Sequence, residues 1–125
     1  MTELDKLAKY LKDNHIPFER YDCDKQFDDN EFTLKLDRHQ ICVPEWGENC
    51  KWDAICQEGS YGYERGLLEI YGELVPDEEE DSVIGFLTAE QVIECIKPWH
   101  EAIENRINEQ IEKAVREIVV GVWFN

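Results

Sequence analysis

The sequence predicts an α+β domain: a mainly antiparallel sheet of four to five strands, an N-terminal helix, and two C-terminal helices or one kinked helix. Three observations lead there. Leu4, Leu7, Ala8 and Leu11 recur at helical spacing behind Thr2. Short runs between residues 32 and 87 alternate polar with apolar at period two. From Val92 onward Ile96, Trp99, Ile103, Ile107, Ile111, Val115 and Ile118 repeat every three or four residues.

Each element has local reasons. Thr2 caps the first helix, Asn14 is its expected left-handed stop, and Pro17 forbids continuation. Ile16 to Tyr21 reads as a strand, at a sheet edge because of Pro17, and Asp22 to Asn30 as a polar loop. Phe32, Leu34 and Leu36 alternate with Thr33 and Lys35, and Gln40 to Val43 continues the β pattern before a turn at Pro44 to Asn49. Lys51 to Gln57 sets Trp52, Ala54 and Cys56 on one face and Asp53, Ile55 and Gln57 on the other. Gly59 to Gly66 reads as irregular, Leu67 to Val75 as a strand stopped by Pro76, and Ser82 to Leu87 as a last short strand. Thr88 and Gln91 form a capping box, Pro98 interrupts the helical stripe, and Gly121 is the expected stop, with an apolar tail folded back. The expected core is Leu4, Leu7, Leu11, Phe18, Ile41, Ile55, Leu68, Ile70, Phe86, Val92, Ile96, Ile103 and Ile107.

The 125 residues are the length of one acidic domain, 1–125, able to bury a core without a metal or disulfide. Thirteen basic residues against twenty-nine acidic ones leave a net charge of −16, which repels nucleic acid and anionic membrane alike. No apolar run approaches the length of a membrane span, and the N-terminus has no signal-peptide pattern. Five cysteines at irregular spacings fit reduced thiols, so the expected setting is cytoplasmic.

Three stretches together resemble a known group: His39 to Val43; Trp52 to Gln57 continuing through Gly59-Ser60-Tyr61-Gly62-Tyr63 to Gly72; and Gly85 to Val92. The chain resembles, over about residues 39–96, small uncharacterised proteins encoded in phages and prophages of gut Firmicutes. The resemblance implies a phage origin and a bacterial host cytoplasm, and carries over no activity or site residue.

Catalytic templates fit poorly. Ser60 lacks the glycine two positions earlier that a nucleophile elbow needs. Asp53 and Glu69 could hold a metal for a small hydrolase or nuclease, but Tyr71 stands where a nuclease lysine would. His39, Cys42, Cys50 and Cys56 crowd around one hairpin without the tight spacing of zinc ligands, so neither metal nor cofactor is expected. What remains is acidity. From Glu58 to Asp81 there are nine acids and one base, Arg65. The expected function is a non-catalytic acidic binding protein: a phage inhibitor, of anti-CRISPR or anti-restriction type, docking on a basic nucleic-acid-binding surface of a host defence enzyme. Tyr61, Tyr63, Glu64, the run Asp77, Glu78, Glu79, Glu80 and Asp81, and the helical Glu94, Glu101 and Glu104 are its candidate contacts. The alternatives are the Asp53–Glu69 hydrolase and a dimeric assembly protein with no inhibitory role. A homodimer through the C-terminal helix is expected either way, because the stripe from Trp99 to Ile118 exceeds what the sheet needs for cover.

Overall fold

Helix α1 (Glu3–Asp13) opens a computed structural model that describes residues 1–28, 33–75 and 82–124, with backbone alone at 26–28, 33–35 and 119–124. Strands follow at β1 (Glu19–Cys23), β2 (Gln26–Asp28), β3 (Thr33–Lys35), β4 (Arg38–Val43), β5 (Trp52–Gln57), β6 (Leu68–Gly72) and β7 (Ile84–Leu87), and α2 (Ala89–Phe124) ends the chain. The α+β class holds. The main sheet has five antiparallel strands in the order β1-β4-β5-β6-β7, and β2 and β3 form a separate two-stranded ribbon.

The chain divides into two units, Met1–Cys95 and Ile96–Asn125. In the first, Leu4, Leu7 and Leu11 of α1 are buried together with Ile41 and Val43 of β4, Trp52 and Ala54 of β5, and Leu68 and Ile70 of β6. Period-two alternation puts these strand residues on one face of the sheet, and each buried aliphatic side chain contributes about 1.5–3 kcal/mol. The hydrogen bond from Ala89 N to Glu3 Oε2, 2.7 Å, joins the first turn of α2 to the first turn of α1.

Helix α1 starts in a reciprocal capping box: Asp5 N donates to Thr2 Oγ1 and Thr2 N to Asp5 Oδ2. At its other end the left-handed residue is His15, with φ 56°, whereas Asn14 has φ −101°. Ile16 N reaches back to Leu11 O and His15 N to Lys12 O, a Schellman closure whose left-handed position falls one residue after the cap. Thr88 caps α2 as expected: Thr88 N donates to Gln91 Oε1 and Gln91 N to Thr88 Oγ1.

Other expectations need correction. The 22–30 loop contains strand β2, because the ribbon supplies a partner for its backbone; Asn30 and Phe32 lie outside the described residues. The first sheet strand begins at Glu19 rather than Ile16. Helix α2 is a single element, the one-helix alternative of the expectation, and it runs through Pro98 and past the expected stop at Gly121 to Phe124. Proline's fixed φ is itself helical, and a glycine costs only about 1 kcal/mol in a helix interior, so neither residue outweighs the turns on both sides. Of the expected core, Phe18, Ile55 and Ile103 are half-buried, while Phe86 is 56% and Ile107 49% exposed. Phe86 has φ 58° and lies within the register shift of the β6–β7 pairing, between Ile84 and Leu87, and a bulge of that kind turns its side chain away from the core.

Candidate functional site

The core-facing side of the sheet ends in an open cleft of about 630 Å³, walled by carboxylates. Strand register builds it. Pairing of β1 with β4 sets Arg20 opposite Ile41 and Asp22 opposite His39, and pairing of β4 with β5 sets His39 opposite Cys56. Asp37, two residues before His39, falls on the same side. The 3-10 turn Tyr63–Arg65 closes the cleft, with Tyr63 Oη donating to Asp37 Oδ2 at 2.8 Å.

His39 is clamped at both ring nitrogens. Nδ1 lies 2.6 Å from Asp22 Oδ1, and Nε2 lies 3.0 Å from Asp37 Oδ1 and 3.7 Å from Asp24 Oδ1. Burial alone would lower its pKa, but the hydrogen bonds and charges of Asp22 and Asp37 raise it above the ordinary value, so the imidazolium is favoured. Asp37 is held low, first by the Tyr63 hydroxyl and then by His39. The same bond pushes the Tyr63 phenol up to about 12. Arg20 continues the chain of charge, reaching Asp22 with Nε and Asp5 with Nη2, each at 2.8 Å. Asp5 is lowered to about 2 by the backbone N–H of Thr2, the Thr2 hydroxyl and Arg20.

Two chemistries fit this arrangement. As an imidazolium, His39 ties three carboxylates together. As a neutral ring donating Nδ1–H to Asp22, it would present Nε2 beside Asp24 and Asp37, three ligand atoms within 4.8 Å of one another. A cation and a proton compete for the same nitrogen. Burial, with the charge of Asp37, pushes the Cys56 thiol up and so disfavours its thiolate.

The residues singled out in the sequence scatter. Tyr63 folds into the cleft and Glu64 stands exposed on its rim. Tyr61 points elsewhere, 59% exposed, its ring 6.2 Å from that of Phe86. Asp77 to Asp81 lie outside the described residues. Glu94 is exposed on α2 within the first unit, and Glu101 and Glu104 are exposed in the second. Asp53 and Glu69 do sit on neighbouring strands, one pair out of register, on the face opposite the core. Asp53 accepts from Gln40 Nε2 at 2.8 Å and Glu69 from Tyr61 N at 3.1 Å. Burial, with the charge of Glu69, raises the Asp53 pKa. His39 and Cys56 share one side of the sheet and Cys42 the other, so the hairpin quartet does not converge. All five cysteines are free thiols.

Sequence reading missed the His39 clamp. Its signal was the pair of alternations Arg20-x-Asp22 and Asp37-x-His39, opposite charges two apart on strands, whose meeting depends on register. Among the described residues no helix is long and apolar enough to cross a membrane. Comparison with protein-family models, with curated proteins and with solved structures found no match.

Proposed function

We propose that this chain is a non-catalytic acidic binding protein whose 1–95 unit docks on a cationic surface of a protein partner. The observation that carries the reading is where the charge lies. Residues 1–95 hold twenty-four of the twenty-nine acids and nine of the thirteen basic residues, a net charge of −15, while residues 96–125 hold five acids and four bases, −1. A field concentrated in one unit, with Asp24 and Glu64 exposed around an open cleft, favours docking against lysine and arginine. The raised thiol of Cys56 and the separately engaged Asp53 and Glu69 support a role without turnover. In its specific form, the partner surface is one that ordinarily takes nucleic acid, on a host enzyme of CRISPR or restriction type, and the protein blocks it from a bacterial cytoplasm.

Binding to such effectors, with DNA duplex as competitor, tests the reading. Displacement of DNA, weakened about ten-fold or more by high salt and by Asp24→Lys with Glu64→Lys, is the expected result. Salt-independent binding would count against it, as would metal-dependent turnover abolished by Asp53→Asn.

A further inference from the structure

Strand register assembles a donor set in the cleft that partner docking does not require. Asp22 pairs with His39 and Cys23 with Arg38, so the next step of the same register sets Asp24 against Asp37. Asp22, Asp24, Asp37 and His39 all line the cleft, two from each side of this pairing. From the donors they bring together, we infer that His39 Nε2, Asp37 Oδ1 and Asp24 Oδ1 bind a divalent transition-metal cation of the zinc class. The inference stands whether or not a partner docks.

The three donors are close enough to share one ion. Nε2 lies 3.0 Å from Asp37 Oδ1 and 3.7 Å from Asp24 Oδ1, and all three atoms fall within 4.8 Å of one another. Ligands about 2.0–2.2 Å from a tetrahedral zinc stand about 3.3–3.6 Å apart, so closing on the ion takes a movement of about 1 Å. Asp24, its side chain 89% exposed, has the room to make it. The other two are aimed by groups outside the set. Asp22 Oδ1, 2.6 Å from Nδ1, takes the far N–H of the ring and leaves Nε2 to the ion, a carboxylate–histidine–metal arrangement. Tyr63 Oη donates to Asp37 Oδ2, which leaves Oδ1 turned toward His39. The cleft is open, so water can complete the coordination.

Charge balance favours a dication. Among the described residues, five carboxylates line the cleft against two basic side chains, Arg20 and His39. Arg20 is engaged by Asp5 and Asp22, each at 2.8 Å. Asp24 and Asp37 are left to share one ring, and a divalent ion balances both while the Nε2 proton leaves to solvent. The imidazole nitrogen disfavours calcium and magnesium, which prefer oxygen throughout, and suits zinc and its neighbours in the first transition row.

Calorimetric titration of the reduced full chain with zinc chloride is the test, repeated with cobalt chloride under an absorption spectrometer. Binding in the micromolar range or tighter is expected, undisturbed by a large excess of calcium. Cobalt is expected to give visible bands without the intense near-ultraviolet charge transfer of a thiolate, which separates this site from the five free cysteines. His39→Gln is expected to abolish binding at this site. Asp24→Asn is expected to weaken it about ten-fold or more, and Asp22→Asn, which leaves all three ligands in place, about ten-fold by loosening the ring. Because the Asp24 side chain is so exposed, its exchange leaves the fold intact, and a loss there reads the ligand alone. A natural chain that binds neither metal would overturn the inference. So would a thiolate band, displacement by calcium, or an affinity indifferent to both Asp24→Asn and His39→Gln.

Discussion

Residues 1–95 and residues 96–125 use their apolar residues in opposite ways. In the first unit alternation along strands and the α1 stripe meet in a core: Leu7, Leu11, Ile41, Ala54, Leu68 and Ile70 are all 0% exposed. Nearly all the net charge is carried on that same unit. The second unit has almost no net charge, and the larger part of its stripe faces water. Periodicity alone reads the two alike, since both repeat at helix or strand spacing. The difference teaches that period identifies a face and not what covers it.

The largest effect that separates the units is a core truncation. Leu7→Ala should destabilise the chain by about 2–5 kcal/mol, because a 0%-exposed side chain leaves a cavity. Ile118→Ala, at 66% exposure, should cost no more than about 0.5 kcal/mol in protein dilute enough to be monomeric. Urea denaturation of both variants measures the gap, and equal losses would erase the distinction between a covered and an open stripe.

A smaller effect sharpens the picture of the first unit through pH. His39 has a raised folded-state pKa, so the stability it contributes is fully present below its ordinary value of 6.5 and is lost as pH rises through the folded value. Asp5 and Asp37 behave oppositely. Their folded pKa values are depressed, so their contributions are present above 3.8 and fade as pH falls, for Asp5 through about 2. Denaturation midpoints should therefore decline on both sides of mildly acidic pH. His39→Gln should flatten the decline above 6.5 and leave the acidic limb in place. An unchanged alkaline limb would mean that the clamp on His39 does not hold in solution.

The smallest effect compares the two helix starts. Thr2→Ala and Thr88→Ala each remove a hydroxyl that accepts a backbone N–H, at about 1 kcal/mol. Both changes fall in the 1–95 unit, so global unfolding should register both, and amide hydrogen exchange in the first turn of each helix can tell them apart.

Much of the architecture was readable because it rests on local rules. Caps, proline positions and strand alternation brought out α1, β4, β5, β6, β7 and the start of α2. Errors arose where the decisive partner was distant or where a breaker was outweighed. Strand β2 exists because β3 pairs with it, and Phe86 turned out because a bulge shifted its register. The site was less legible than the fold. Asp22, Asp37 and His39 are commonplace residues until β1 pairs with β4, and only then do two carboxylates close on one ring.

Tyr61 sits on backbone that is pinned from several sides. Its N–H donates to Glu69 Oε1, its carbonyl accepts from Phe86 N, and a methyl group placed on Gly85 would run into Tyr61 Cβ. Gly85→Ala would force that segment off β7. For a partner that engages Tyr61, the backbone freedom ordinarily surrendered on binding has been surrendered already in folding. The two means of recognition would then act on different rate constants. Long-range charge sets how often an encounter occurs and weakens with salt, whereas a preset aromatic slows departure and is indifferent to salt.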